Sequence, residues 1–363
     1  SILSVAGLAP DADFLRWDHR NTTYGVFHSM FALWQLPVLA ATSFYQWFIC
    51  KQEDRDRPPG RRFDVGGHRL HVLHLPAINA ADRTKPTVVI DHSLGGVEGY
   101  LLAKEMARVA EVCMCDRAGY GWSDISRYQI DSAHSVDSLD SALTQAGVQP
   151  PYILVGNSLG SYNMRLYAHR FPEKVVGMVL TDGLHEKALL KMPWQLRSLQ
   201  LLFFSGFVIS VVGAAMGFIR IAANVGVFEW IKPTLKHAPT SELKPVVRSF
   251  CRPKHWFTMA REIAQLDNSG RQLKMASDFG NLPIVNIKAK SFFKETRLTR
   301  WLPLKAIERV RSQMHQDLMT LSTRCTQLPA DQSSHFVWID QPEVIIHAVE
   351  LILIRVAVLP ARQ

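Results

Sequence analysis

The length, composition and charge of this chain exclude several kinds of protein. Its 363 residues are 47% hydrophobic and 20% charged, which fits a well-buried globular protein with some membrane character, either one large domain with an insertion or two domains. The five cysteines are odd in number and lack the paired spacing of metal ligands, so we predict no disulfide framework and no metal site. The net charge of +9 comes without a nucleic-acid motif or regularly spaced stacking aromatics, which argues against a nucleic-acid partner.

The first feature in chain order is an uncharged stretch at residues 21–50. Its more apolar part, residues 24–50, is long enough to cross about 30 Å of hydrocarbon; Trp34, Tyr45 and Trp47 are suitable interfacial anchors, and Lys51 follows directly. We predict a membrane helix here; the alternatives are a helix that lies in the membrane interface and a helix that is buried or faces a partner. We expect no removable signal peptide, because the apolar run begins too late and lacks a clear small-residue cleavage site.

After a basic linker, strand and helix patterns alternate along the chain. This alternation predicts an α/β fold, with a mostly parallel sheet covered by helices on both faces and opened by an antiparallel hairpin. A long helical stretch at residues 186–280 interrupts the alternation. The predicted strands are 62–75 (a hairpin around Gly66 and Gly67), 87–92, 111–116, 152–155, 175–182, 282–289 and 325–328, and the predicted helices are 101–110, 136–147, 162–171, 304–322 and 342–359.

The stretch YILVGNSLGSYNMRLYAHRF places Ser158 between a buried strand and a helix, with almost no loop between them. So tight a turn brings the two backbones close together, and the positions two residues either side of the serine therefore need minimal side chains. Gly156 and Gly160 meet this need. The pattern G-x-S-x-G in this context predicts a nucleophile elbow with Ser158 as the nucleophile, although by itself it also fits ordinary turn glycines.

A serine nucleophile needs a base and a carboxylate that orients the base. His335 lies in a loop of small residues between the last strand and the last helix, so we predict that it is the base. Asp182 ends the strand that follows the elbow helix, at the same carboxyl edge of the sheet as Ser158, and is the predicted acid. Asp331, four residues before His335, is the alternative acid.

Acyl transfer also needs backbone N–H groups where negative charge develops on the substrate oxygen. We predict that the N–H of Leu159, next to the nucleophile, is one donor. The N–H of Leu94, in the loop HSLGG after strand 87–92, is the other, because Gly95 and Gly96 allow the backbone to approach closely. The alternative for this loop is an ordinary turn.

The segments DHSLGG, CDRAGYGWSD, GNSLG, LTDGLH and SSHFVWIDQPE resemble, in order and spacing, the α/β-hydrolase superfamily. The resemblance is greatest to its membrane-associated branch with an N-terminal hydrophobic segment. It covers about residues 60–185 and 280–358. It implies an α/β-hydrolase fold, and it carries the family's nucleophile and base over to Ser158 and His335.

Two departures from the family pattern bear on the site. Ser93 stands where the family often has a glycine beside the oxyanion loop. The acid after the seventh strand is absent, and the resemblance therefore places the acid at Asp182, the position used by members with their acid after strand six.

The resemblance also divides the chain into four parts. Residues 1–57 would be a membrane-associated segment and linker, residues 58–185 and 281–363 the two halves of the hydrolase core, and residues 186–280 a helical lid. A second uncharged stretch, residues 198–219, falls in this lid. A single membrane crossing there would separate Ser158 from His335. We therefore expect a buried lid helix, a re-entrant or interfacial element, or a partner contact.

These observations predict a serine hydrolase that cleaves an ester of a lipid or another hydrophobic acyl substrate, without a cofactor. An amidase, thioesterase, peptidase or acyltransferase would use the same residues. The alternative from another class is a catalytically silent hydrolase-fold subunit of a larger membrane complex. The positive charges at residues 51–62 favour a membrane-associated protein whose hydrolase domain faces the cytoplasm or an organelle interior.

Overall fold

An eight-stranded sheet forms the centre of the computed structural model, which describes residues 19–97, 99–293 and 299–357, with side chains from Gln35 onward and without that of Arg300. The strand order is β1-β2-β4-β3-β5-β6-β7-β8. The hairpin β1–β2 is antiparallel and joins β4 antiparallel, while the remaining neighbours pair in parallel. The predicted mostly parallel sheet is confirmed. The strands are β1 Arg61–Asp64, β2 Arg69–Leu75, β3 Thr87–Asp91, β4 Val112–Asp116, β5 Tyr152–Asn157, β6 Val175–Thr181, β7 Ile284–Ala289 and β8 Cys325–Ala330.

Helices cover both faces of the sheet because the central strands are apolar on both sides. Val88 and Ile90 of β3 belong to one core, which includes residues of α2 and α14, whereas Val89 belongs to the other, with residues of α3 and α4. The helices are α1 His19–Glu53, α2 Tyr100–Met106, α3 Ser132–Ala146, α4 Leu159–Arg170, α5 Glu186–Leu190, α6 Trp194–Ala215, α7 Phe218–Asn224, α8 Val227–Ile231, α9 Thr240–Phe250, α10 Pro253–Ala264, α11 Leu266–Gln272, α12 Leu304–Leu318, α13 Val337–Asp340 and α14 Pro342–Ala357.

Two predicted helices end earlier in the structure. The predicted helix 101–110 ends at Met106, and the predicted helix 304–322 ends at Leu318, because the chain turns there towards β8. The predicted end of the last helix, at residue 359, lies outside the described residues. Gly147, in contrast, closes α3 as predicted, with φ of +75° at the position after the last helical residue.

Helices α5–α11 lie between β6 and β7 and are called the helical insertion below. The long helix α6 packs along α10, and the buried Arg220 of α7 links the insertion to α1. Its guanidinium donates to Gln46 Oε1 at 2.7 Å and to Glu53 Oε1 at 2.6 Å. The end of α1 is therefore joined to the insertion by charged and polar contacts.

Large apolar side chains of α6 face outward. Leu201, Leu202 and Ile209 are each more than 60% exposed. Within the described ranges, α6 is the one helix that is long and apolar enough to cross a membrane by length and composition, with a mean hydropathy of 1.9 over its most apolar window. Helix α1 covers the other predicted apolar segment, residues 24–50, whose membrane crossing stays a prediction.

The insertion contains a buried histidine, His255, at the start of α10. The hydroxyl of Ser249 accepts the Gly121 N–H at 3.0 Å and lies 2.9 Å from Nδ1 of His255, so the hydroxyl hydrogen is available for that nitrogen. Burial, together with the charge of Lys254, lowers the pKa of His255 to about 3. The folded protein therefore holds His255 neutral.

Acidification is expected to destabilise the protein through His255. Because its pKa is about 3 when folded and an ordinary 6.5 when unfolded, the unfolded chain binds the extra proton between these values, and stability falls as the pH drops below 6.5. Between pH 7 and pH 5 the loss should be about 2 kcal/mol. Urea unfolding at both pH values, for wild type and His255→Leu, measures it. The loss of unfolding free energy between pH 7 and pH 5 should be smaller in His255→Leu than in wild type, and unchanged in the exposed control His169→Leu. An equal loss in all three proteins would contradict this prediction.

Candidate active site

The predicted elbow is formed by β5, Ser158 and α4. Ser158 has φ of +50° and ψ of −111°, a backbone conformation that residues other than glycine rarely adopt. Its N–H donates to the carbonyl of Thr181 at 3.0 Å, which ties the serine to the end of β6. Within the described residues, Ser158 and Asp182 are the two non-glycine residues with positive φ. Backbone strain of this kind is characteristic of functional sites.

Gly156 and Gly160 lie where the elbow leaves no space for a side chain. A Cβ atom at Gly156 would lie 2.6 Å from the carbonyl oxygen of Gly160, and one at Gly160 would lie 2.6 Å from that of Asp91. The end of β3 therefore packs directly against the elbow. This packing brings the loop that contains Leu94 beside the elbow that contains Leu159.

Gly160→Ala is expected to destabilise the protein by about 3 kcal/mol, near the upper end of the usual cost of overpacking, because the clash is with backbone that cannot move aside cheaply. Gly206→Ala is the matched control. Gly206 lies in α6 with no atom within 4 Å of an added Cβ, and alanine there should be neutral or stabilise the helix by about 0.5–1 kcal/mol. Urea unfolding compares the two variants, and equal stability changes would contradict the prediction.

His335 and Asp182 lie in direct contact. Nδ1 of His335 is 2.6 Å from Oδ2 of Asp182. The imidazole also stacks on Phe292, with ring centroids 4.2 Å apart, so its plane is held from a second direction. An ionised Asp182 can only accept, and Nδ1 therefore carries the hydrogen while Nε2 is free to accept a proton.

Asp182 is buried yet held as a carboxylate. Burial alone would raise its pKa, but hydrogen bonds from His315 and His335 and the charge of Arg311 hold the pKa well below its ordinary value. Oδ1 accepts from Arg311 at 2.7 Å, lies 2.9 Å from Nε2 of His315 and accepts the Ala289 N–H at 3.2 Å. The Oδ2 atom is left for His335.

The sequence did not reveal the parts played by Arg311 and His315. Arg311 is one of eight Lys and Arg residues between positions 288 and 311, yet its side chain is buried against Asp182. Burial lowers the pKa of His315, whose Nδ1 lies 3.1 Å from Oδ1 of Asn286. The available signal was their spacing of four on α12, which places both on one helix face.

Ser158 and His335 are each 7% exposed, so only a small opening leads to them. Among the residues that the structure describes, no hydrogen bond involves the Ser158 Oγ. Catalytic hydrogen bonds are often long before substrate binds. The absence of a hydrogen bond at this Oγ within the described part of the chain is therefore compatible with a role as nucleophile. Asp331, the alternative acid, is exposed and makes no ion pair or hydrogen bond within the described ranges.

Arg117 holds the backbone of the predicted oxyanion loop. Its guanidinium donates to the carbonyls of His92 at 2.8 Å and Ser93 at 2.7 Å and to Oδ1 of Asp91 at 2.7 Å. The same guanidinium pairs with Glu262 of α10, with Nε 2.8 Å from Oε1. The buried Glu262 thus connects the loop beside the elbow to the helical insertion, a link across 145 residues that sequence patterns did not indicate.

Comparison with known proteins agrees with this architecture. A family profile described as alpha/beta hydrolase fold matches residues 86–256, from just before β3 to the first turn of α10. The chain has the α/β-hydrolase fold. A Pseudomonas aeruginosa protein described as an epoxide hydrolase superposes with a TM-score of 0.61 at 12% identity, over 82% of this chain and 96% of that one. The enol-lactonase of Burkholderia xenovorans superposes with a TM-score of 0.55 at 14% identity, over 81% and 100%.

Curated relatives share shorter regions of this chain. The uncharacterized protein YbdG of Bacillus subtilis is 24% identical over 161 residues, which is 43% of this chain and 48% of the relative. An uncharacterized vacuolar membrane protein of Saccharomyces cerevisiae is 31% identical over 118 residues, or 30% and 18% of the two chains. The matches thus span less than half the length of these curated relatives.

Proposed function

We propose that this protein is a serine hydrolase that cleaves an ester through an acyl-enzyme on Ser158. The observation that carries the proposal is the 2.6 Å contact between His335 Nδ1 and the buried Asp182 carboxylate, at the sheet edge where Ser158 sits on its strained elbow. The α/β-hydrolase fold and its hydrolase neighbours support it.

In this proposal Nε2 of His335 takes the hydroxyl proton as Ser158 Oγ attacks the ester carbonyl, and the N–H groups of Leu94 and Leu159 stabilise the oxyanion. The C–O bond to the alcohol then breaks, and His335 gives the proton to the leaving alkoxide. Water deprotonated by His335 hydrolyses the acyl-enzyme and regenerates the hydroxyl. Asp182 keeps the imidazole in one tautomer throughout and stabilises its protonated form.

The residue at the elbow supports this choice over two other reactions. Epoxide-hydrolase and dehalogenase chemistry uses a carboxylate nucleophile, whereas this chain has Ser158 at the elbow. A serine nucleophile suits acyl transfer. Amides and thioesters would pass through the same acyl-enzyme, so an ester is the substrate class to test first.

We also propose that the protein acts at a membrane, with the helical insertion as a lid over the site. The exposed apolar side chains of α1 and α6 support this. They include Leu36, Phe44 and Trp47 on α1 and Leu201 and Ile209 on α6. The similarity to a vacuolar membrane protein of yeast agrees with it. A hydrophobic acyl substrate would then enter from the bilayer.

Labelling with a fluorophosphonate probe tests the proposal. The full chain in nanodiscs should be labelled at one serine, and Ser158→Ala should abolish labelling, because the probe requires an activated hydroxyl. The matched control is Ser198→Ala, because Ser198 is an exposed serine. Ser161 is unsuitable, because its Oγ accepts the N–H of Leu184 at 2.9 Å. Folded wild-type protein that stays unlabelled would overturn the hydrolase proposal and favour the catalytically silent subunit of a membrane complex.

A further inference from the structure

A groove of about 390 Å³ lies away from Ser158, in the size range of small-molecule sites. It is bounded by the chain just after α1, by the turn after β4 and by the junction of α9 and α10. Ser158, Asp182 and His335 are not among its lining residues. Its lining includes four cations and three acids: Arg62, Arg248, Arg252 and Lys254, with Asp54, Asp56 and Asp124.

The acids of the groove leave two of its cations poorly neutralised. Asp124 is engaged by Arg69, with Nε 2.7 Å from Oδ2, and Asp54 by Arg252 at 2.7 Å, while Asp56 pairs with the exposed Lys244 at 3.4 Å. Arg248 reaches Asp54 only at 3.3 Å. Lys254 has no carboxylate within ion-pair distance in the described part of the chain, and its Nζ donates to the carbonyl of Ser123 at 2.7 Å.

The pKa values agree with an excess of positive charge. Burial, and then the neighbouring charge of Arg248, lowers the pKa of Lys254 to about 8. Burial and the charge of Arg252 lower the pKa of Arg248. The groove also lies at the N-terminus of α10, whose helix dipole adds positive potential there.

Three residues of the groove wall carry hydrogen-bond donors without acceptors. Nε1 of Trp122 and the Nε atoms of Arg248 and Arg252 are buried and have no hydrogen-bond partner within the described ranges. Buried donors are rarely left unpaired. The guanidinium of Arg248 lies over the Trp122 ring, 4.6 Å from its centroid, so the aromatic side chain holds this cation in place. What the wall lacks is a set of acceptor oxygens.

We propose that this groove is a second binding site, which takes a phosphate-bearing anion of headgroup size. A phosphate supplies several acceptor oxygens and negative charge together, which are what the guanidinium of Arg248 and the ammonium of Lys254 lack. Its place beside the end of α1 allows two sources, an anionic lipid headgroup or a free phosphate compound. The site is independent of ester cleavage.

Binding of glycerol 3-phosphate and of inorganic phosphate tests this site, measured by calorimetry on full-length Ser158→Ala protein in phosphatidylcholine nanodiscs. We expect saturable binding that weakens about tenfold or more in Lys254→Gln and in Arg62→Gln, since each removes a charge-assisted contact. Arg62 is more than one third exposed and its substitution should leave folding intact. Lys274→Gln, an exposed change of equal charge outside the groove, should bind like the parent protein.

Nanodisc composition separates the two sources. If phosphatidic acid, but not phosphatidylserine at equal charge, weakens the apparent affinity for glycerol 3-phosphate, the site takes a lipid headgroup. If neither lipid competes, it takes a free phosphate compound. Absence of saturable binding by both probes in phosphatidylcholine nanodiscs would overturn the proposal, and so would equal affinity in Lys254→Gln, Arg62→Gln and Lys274→Gln.

Discussion

Asp182→Asn is expected to lower turnover by about 10⁴-fold while the protein stays folded. In the wild-type protein one carboxylate oxygen faces Arg311 and the other faces His335. Arginine can only donate, so the asparagine amide will turn its oxygen towards Arg311 and its NH₂ towards His335 Nδ1. The imidazole must then carry its hydrogen on Nε2, the nitrogen that should take the Ser158 proton. Steady-state ester hydrolysis and the fluorophosphonate labelling rate measure the loss.

The alternative acid provides the matched control for this experiment. Asp331→Asn makes the same chemical change at an exposed side chain, four residues before the base, and should leave turnover unchanged. Urea unfolding of Asp182→Asn separates lost catalysis from lost folding. If Asp331→Asn caused the large loss and Asp182→Asn did not, the acid assignment would be wrong although the serine mechanism could stand.

Glu262→Ala is expected to destabilise the protein by about 3–5 kcal/mol, the usual cost of removing one partner of a buried ion pair. Glu262 accepts from Arg117 Nε at 2.8 Å and from the Tyr120 hydroxyl at 2.7 Å, and it is 4% exposed. Its loss leaves the guanidinium with unpaired donors. Because that guanidinium also holds the carbonyls of His92 and Ser93, labelling of Ser158 should slow as well. Urea unfolding and labelling rates measure both effects.

A partly exposed ion pair between the insertion and α2 is the comparison. Glu242 of α9 pairs with Lys104 of α2 at 3.0 Å, and the side chains are 13% and 57% exposed. Glu242→Ala should therefore cost less than about 1 kcal/mol and leave labelling unchanged. Similar stability losses in the two variants, without slower labelling in Glu262→Ala, would contradict the prediction that Glu262 acts through Arg117 on the predicted oxyanion loop.

Local patterns were enough to predict the parts of the fold that depend on neighbours in sequence. The strand, turn and helix around Ser158 form as the pattern predicted, because the need for glycine at positions 156 and 160 arises within five residues of chain. Alternation of strands and helices was enough for the mostly parallel sheet, since parallel strands require crossover connections. Asp182 as the acid and His335 as the base were predicted from the order of the elements.

Only the tertiary structure decided which distant charges lie together. Arg311 belongs to a basic run in the sequence, and its burial against Asp182 depends on how α12 packs beside β7. Glu262 and Arg117 are separated by 145 residues, and nothing in the local composition of either indicates a partner. The groove beside α1 likewise combines three segments distant in the chain. Sequence periodicity predicts which face of an element is buried, whereas pairing of charges depends on the packing of those faces against each other.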